Sequence, residues 1–105
     1  MENVNVIMNI IAQAGNARTK AMEAIKLAEE NKIEEARLLL NEADDEVKLA
    51  HRSQTGLIQD EAKGKRVEVS LFMVHAQDHL MNAITVIDLA EKFINLYEKI
   101  DVKNK

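Results

Sequence analysis

The sequence is 105 residues long with a formal net charge of −4, and it contains no Pro, no Cys and only three Gly. Aromatic residues make up 3%, whereas Ala, Leu, Glu, Lys and Met, which all favour helices, are abundant. This composition predicts a single all-α domain, excludes disulfides and thiolate metal sites, argues against nucleic acid and mildly favours a basic protein partner.

The N-terminal half of the sequence predicts two helices joined by a tight turn. The first carries apolar residues at helical spacing, with Arg18 as the one polar residue among them: Val4, Ile7, Ile11, Ala14, Ala21, Ile25 and Ala28. Residues 30–32 break the pattern, and we expect Asn31 to be left-handed there. The second helix is interrupted by Gln54 and carries Ile33, Ala36, Leu40, Ala43, Val47, Ala50 and Leu57.

Residues 61–66 are the only clear loop, with Gly64 as its hinge. The third predicted helix runs from about Glu68 to Ile100. Residues 1–105 then form one domain, with residues 101–105 as a frayed tail. Because short connections between long helices imply antiparallel neighbours, the predicted fold is an antiparallel three-helix bundle.

The third helix carries two apolar rows on nearly opposite faces. The row suited to packing on the other helices is Val69, Met73, Ala76, Leu80, Ala83, Ile87, Ala90 and Ile94. The second row, which we call the outer row, is Leu71, Val74, Asp78, Met81, Thr85 and Leu89. A three-helix bundle has one interior, so the outer row would face water in a monomer. Association through this helix is the preferred interpretation, and a merely apolar surface is the alternative.

The segment 75–79 concentrates polar side chains on the third helix. His75 and His79 are one turn apart, so they share a face at one border of the outer row. Asp78 lies about 60° from His75, in the middle of the outer row, and Gln77 lies at the opposite border. A carboxylate in an apolar seam is costly unless it has a partner or a role.

Several functions compete for these residues. A zinc site wants further ligands, and His51 on the second helix is the only other His. Ser53 and Ser70 lack the sequence context of a nucleophilic serine. Two solvated histidines with no chemistry remain the plainest alternative, but Asp78 weighs against it.

Three segments resemble one known family. Residues 69–81, VSLFMVHAQDHLM, look like the signature of the enzyme IIA components of the lactose/cellobiose (N,N'-diacetylchitobiose) class of the bacterial sugar phosphotransferase system. Residues 50–55 with 57–59 resemble the second-helix segment of the same family, and residues 14–18 resemble its first-helix segment. The resemblance covers nearly the whole chain in order. A non-catalytic helical adaptor or binding module is the rival interpretation.

The resemblance implies a cytoplasmic phosphocarrier. The phosphohistidine of HPr would donate its phosphoryl group to His75, which would pass it to a thiolate of the IIB component while the IIC membrane component imports a disaccharide. The implied sugar is of the lactose, cellobiose or chitobiose type. A helix interior offers no free backbone N–H to the phosphoryl oxygens, so His79 is the nearest supporting donor.

The two borders of the outer row also predict a homotrimer through the third helix. With threefold symmetry the His75 border of one subunit faces the Gln77 border of the next, which makes Gln77 a candidate to reach His75 in trans. Three Asp78 carboxylates would meet at the axis, where their repulsion calls for a counter-ion. A shared Mg²⁺, which the family resemblance also implies, would supply it. A dimer is the alternative.

Overall fold

A computed structural model describes residues 3–103, and these residues form three long helices. They are α1 (Val4–Glu29), α2 (Ile33–Ala62) and α3 (Leu71–Lys103), and no strand occurs within the described range. The bundle measures 59 × 20 × 18 Å, and α1 packs against both other helices more extensively than α2 and α3 pack on each other. The predicted all-α three-helix bundle is therefore confirmed. Within residues 3–103, no helix combines the length and the hydropathy of a transmembrane segment.

The core is a heptad seam to which all three helices contribute. Buried positions alternate at intervals of three and four residues in every helix, a period of about 3.5 residues that is typical of left-handed supercoiled bundles. The buried residues of α1 are Ile7, Ile10, Ala14, Ala17, Ala21, Ala24 and Ala28. Those of α2 are Ala36, Leu40, Ala43, Val47, Ala50, Gln54 and Leu57. In α3 they are Met73, Ala76, Leu80, Ala83, Ile87, Ala90 and Ile94. Because so many are Ala, the seam contains little side-chain volume, which favours close packing of the helices.

The buried row of α1 differs from the predicted one. Ile10 is fully buried, whereas Ile11 is only partly buried and Arg18 is exposed on the flank of the row. Ile7, Ala14, Ala21 and Ala28 are buried as predicted, but the prediction passed over the small residues Ala17 and Ala24. The spacing of about 3.5 residues places these alanines in the buried row, and Arg18 therefore does not interrupt the core.

Both helix ends at the turns close in the same way. Asn31 is left-handed, with φ of 65°, as predicted, and Gly64 has φ of 90°. The Lys32 amide donates to the Leu27 carbonyl at 2.9 Å, and the Lys65 amide donates to the Asp60 carbonyl at the same distance. These are six-to-one bonds of Schellman caps, which require a left-handed residue and so favour Asn or Gly.

The start of α3 is set by a cap that the apolar pattern did not reveal. The Ser70 hydroxyl accepts a 3.1 Å hydrogen bond from the Met73 amide, so α3 begins at Leu71 rather than near Glu68. Val69 lies before the helix and is 77% exposed, so its predicted place in the core is wrong. The helix continues through Lys103, into the segment expected to be frayed, and residues 104 and 105 lie outside the described range.

Polar contacts on the flanks fix how the helices align. The ammonium of Lys20 on α1 lies 3.0 Å from a carboxylate oxygen of Glu46 on α2, and this hydrogen bond raises the pKa of Lys20. Arg37 near the start of α2 contacts Glu98 near the end of α3 at 2.9 Å. The short connection between α1 and α2, and the contact between the start of α2 and the end of α3, show that α2 runs antiparallel to both neighbours.

Candidate functional site

The outer row of α3 is exposed along its whole length. Leu71 is 85% exposed and Val74, Met81 and Leu89 are each about half exposed, while Asp78 and Thr85 are also exposed. At about 100° per residue, Asp78 lies about 180° from the centre of the buried row. The prediction that a second apolar face remains open to solvent in a single chain is therefore confirmed.

His75 and His79 form a stacked pair at one border of the outer row. Their ring centroids are 5.1 Å apart with planes inclined by 28°. The His75 side chain is exposed, whereas His79 is partly buried on the flank that faces α1. There it lies against Gly15: a Cβ atom at Gly15 would be 3.5 Å from Nε2 of His79. The His79 imidazole is thus held between the His75 ring and the backbone of α1.

Asp78 projects from the centre of the outer row and forms no hydrogen bond or ion pair with any residue of the range 3–103. Its neighbours one turn away on α3 are Val74, His75, Met81 and Asn82. The described part of one chain contains no group of three or more His, Cys, Asp or Glu able to hold a metal. One chain therefore offers a single hard oxygen ligand here, and a cation would need carboxylates from further copies.

Gln77 lies on the opposite flank of α3, about 160° around the helix from His75. It is partly buried, and its Oε1 accepts a hydrogen bond from Nε2 of Gln54 on α2. Its own Nε2 lies 3.9 Å from the sulfur of Met73. Within one chain the structure brings His75, His79 and Asp78 to adjacent positions but keeps Gln77 apart from His75.

The sequence pattern does not reveal the contributions of Gly15 and Gln54 to the site. The contact of Gly15 with His79 depends on the register of α1 against α3. Gln54 does carry a sequence signal, because it interrupts an apolar row of α2 and so indicates a polar partner.

Among the described residues, neither a serine nucleophile nor a zinc site that includes His51 is supported. The Ser70 hydroxyl caps α3, and the Ser53 hydroxyl lies 3.4 Å from the Leu49 carbonyl of its own helix, so both have structural partners. His51 is exposed on α2. An exposed imidazole in its neutral form is a competent nucleophile near neutral pH. The arrangement thus suits covalent transfer through His75.

Comparisons of the sequence and of the structure with known proteins indicate the same family. Residues 5–98 match the family described as "PTS system, Lactose/Cellobiose specific IIA subunit". The lichenan-specific phosphotransferase enzyme IIA component of Bacillus subtilis is 54% identical over 99 residues, which cover 94% of this chain and 90% of that protein. The crystal structure of the cellobiose-specific enzyme IIA from Bacillus anthracis superposes with a TM-score of 0.91 at 46% identity, covering 94% of this chain and 91% of that one.

A further solved structure is a complex. The IIA(chitobiose)–HPr complex of the N,N'-diacetylchitobiose branch of the Escherichia coli phosphotransferase system contains a chain with a TM-score of 0.82 and 34% identity to this one. The similarity covers 96% of this chain and 98% of that chain.

Proposed function

Because the chain belongs to the family of lactose/cellobiose-specific IIA subunits of the phosphotransferase system, we propose that it is a cytoplasmic phosphocarrier that works through a phosphohistidine at His75. The observation that carries this proposal is the exposed His75 ring stacked on the partly buried His79. An acceptor must be reachable by two successive partner proteins, and its ring must be held steady. Stacking on His79, which itself lies against Gly15, supplies the second requirement.

The reaction consists of two phosphoryl transfers. In the first, the P–N bond to the histidine of HPr breaks as a P–N bond to His75 forms; in the second, that bond breaks as the IIB component accepts the group. Such transfers need in-line positioning and donors around the equatorial oxygens more than acid–base chemistry. His79 is the supporting donor within the chain. The E. coli relative, solved as a complex with HPr, supports HPr as the phosphoryl donor.

The site is completed in this proposal by a homotrimer built on the outer rows of three α3 helices. The exposed apolar residues of this row would be buried at the axis, which is the expected fate of such a face. A threefold rotation leaves height along the axis unchanged, so Gln77 of one subunit approaches the His75 border of the next. Gln77 then supplies an amide donor in trans.

The unpaired Asp78 carboxylate supports a metal at the same axis. Three copies would bring three hard oxygen ligands into an apolar seam, where ionised carboxylates repel one another. A shared divalent cation, Mg²⁺ by its preference for carboxylate oxygen, would neutralise them there. The cation would lie at the outer row, about 60° around α3 from His75. Its role would be to stabilise the trimer.

The sugar is a β-linked di- or oligosaccharide of the lactose, cellobiose or chitobiose type in this proposal, because relatives of this chain bear cellobiose, chitobiose and lichenan names. The carrier does not contact the sugar, which is imported by the IIC component.

Incubation with phosphoenolpyruvate, enzyme I and HPr tests the function. Intact-protein mass spectrometry should detect an acid-labile gain of one phosphoryl group per chain, and omission of HPr should abolish it. If the complete mixture leaves the mass of the chain unchanged, the phosphocarrier proposal is wrong and the helical adaptor becomes the better interpretation.

A further inference from the structure

Gln54 is the one buried polar side chain within the described part of the chain. It occupies a heptad core position of α2, where the other core residues are Ala, Leu and Val. A buried amide loses its hydrogen bonds to water, and an apolar residue of similar length would fill the space without that loss. The presence of Gln at this position therefore calls for a specific partner.

That partner is Gln77. The Gln54 side chain donates from Nε2 to Oε1 of Gln77, and this bond joins the core of α2 to the VHAQDHLM segment of α3. Because Oε1 of Gln77 faces the donor, the Gln77 amide is fixed with its oxygen toward α2. Its NH₂ group contacts no oxygen acceptor among residues 3–103, and Nε2 lies 3.9 Å from the sulfur of Met73 one turn back. A thioether is a weak acceptor, so this NH₂ group remains available to a better one.

The NH₂ group of Gln77 lies on the side of α3 toward which a neighbouring His75 would be offset. Helical side chains lean toward the helix N-terminus, and Nε2 of Gln77 accordingly lies 3.9 Å from the sulfur of Met73, one turn back. A threefold rotation preserves height, so in the proposed trimer the neighbouring His75 lies two residues, about 3 Å, from Gln77 in that same direction. We infer that Gln54 is a positioning residue, which orients the Gln77 amide so that it presents a donor, rather than its carbonyl oxygen, to the phosphoryl group on the neighbouring His75. This inference rests on the proposed function.

The substitution Gln54→Glu changes the expected orientation of the Gln77 amide while it keeps a polar side chain of the same length at position 54. The carboxylate that it introduces can only accept, so it would draw the Gln77 NH₂ group inward and turn the Gln77 carbonyl oxygen outward, toward the phosphoryl oxygens. Gln54→Met removes the hydrogen bond but keeps the length of the side chain, which leaves the Gln77 amide free to rotate. Gln59→Glu, at an exposed position of α2, makes the same chemical change without a contact to the site.

The measurement is phosphoryl uptake from phospho-HPr, resolved into kcat and KM, with the thermal midpoint of each variant as a control. Gln54→Glu should lower kcat about ten- to a hundredfold, because the loss of one hydrogen bond to a charged group corresponds to a rate factor of that size. Gln54→Met should lower kcat less. Gln59→Glu should retain the wild-type rate.

A double-mutant cycle tests whether Gln54 acts through Gln77. In a Gln77→Ala background, neither Gln54→Glu nor Gln54→Met should cause a further loss of kcat. The inference would be overturned if the losses of kcat from the Gln54 and Gln77 substitutions were additive, or if Gln77→Ala had the wild-type kcat. It would also be overturned if the loss of kcat in each variant were fully explained by its lower thermal midpoint. The Met variant keeps the test decisive if the Glu variant does not fold. An unphosphorylated wild-type chain would instead overturn the proposed function itself.

Discussion

Nε2 of His79 lies 3.5 Å from the position that a Cβ atom of Gly15 would occupy. An imidazole from α3 thus rests against α1 at Gly15, close enough that a side chain longer than that of Ala would meet it, while its ring stacks on His75. A contact between two helices that are distant in sequence therefore supports the acceptor histidine.

Substitutions at Gly15 should separate helix stability from site geometry. A methyl group at 3.5 Å is in ordinary van der Waals contact, so Gly15→Ala should stabilise α1 by up to about 1 kcal/mol, the propensity difference, and leave phosphoryl uptake nearly unchanged. Gly15→Leu should displace His79 and slow uptake.

The matched control for Gly15→Leu is Gly56→Leu, because a Cβ atom at Gly56 would meet nothing within 4 Å. This variant should gain helix stability and keep the wild-type rate. Initial rates with phospho-HPr and thermal melts by circular dichroism give both quantities. Equal rates for the two Leu variants would show that the Gly15 contact has no part in the reaction.

His75→Gln should abolish phosphoryl uptake without unfolding the chain, because the His75 side chain is exposed and contributes nothing to the core. His51→Gln, which removes another exposed histidine from α2, should be phosphorylated normally. Mass spectrometry under conditions that preserve phosphohistidine detects both results. An acid-labile phosphate that persists at the normal rate in His75→Gln would mean that another side chain is the acceptor.

His79→Gln should slow transfer or shorten the lifetime of the phosphohistidine, but it should not remove the acceptor. The physical reason is that His79 supports the His75 ring by stacking and supplies the nearest local donor. The measurement is the decay of the phosphorylated chain after HPr has been removed, followed together with the uptake rate. If both rates equal those of the wild type, the stacked pair is only a packing arrangement.

Binding of HPr and of the IIB component should be mutually exclusive, because both must reach the same exposed ring. Phe72 lies about one turn before His75 on α3 and is 39% exposed, so it is available to both partners. Phe72→Ala should therefore weaken both interactions. Leu38→Ala, at an exposed apolar position near the other end of the bundle, should weaken neither. Analytical ultracentrifugation of the three proteins together should yield no ternary complex, and a stable one would rule out a shared site.

The α-helical fold and much of its core could be predicted because the heptad spacing is local information. Spacing and residue type alone predicted the buried row of α3 from Met73 to Ile94 and the left-handed conformation of Asn31. The row of α1 followed only in part: Ile7, Ala14, Ala21 and Ala28 are buried as predicted, whereas Ala17 and Ala24 are small and contribute little to a hydrophobicity pattern. Their burial depends on how the helices pack against one another.

The site was predictable only where a single helix specifies it. His75, His79 and Asp78 take their relative positions from α3 itself, so their sequence spacing was sufficient. The contact of Gly15 with His79 and the bond from Gln54 to Gln77 each depend on the register between two helices. Neighbouring residues in the sequence do not encode that register, although the polar Gln54 in an apolar row indicated that a partner existed.

Asp78 provides the test of assembly. The wild-type chain should sediment as a trimer, because the outer row of α3 is apolar on both sides of Asp78 and would be covered at a threefold axis. Removal of divalent cations by a chelator should weaken that trimer, since three unneutralised carboxylates would then repel one another in the seam. Sedimentation equilibrium with and without chelator measures both effects. A wild-type chain that sediments as a dimer or a stable monomer would contradict the proposed assembly.

Asp78→Leu should leave the trimer intact or more stable and make it insensitive to the chelator. Replacement of buried charges by apolar side chains of similar volume is often neutral or stabilising, because the desolvation of the charges is avoided. Asp88→Leu is the matched control: it removes the same charge from an exposed position of α3 that borders the groove between α2 and α3, so it should keep the chelator sensitivity of the wild type. If Asp78→Leu instead dissociates into monomers, the carboxylate itself holds the subunits together. Its role would then be attraction to a partner group, and not a repulsion that a cation relieves.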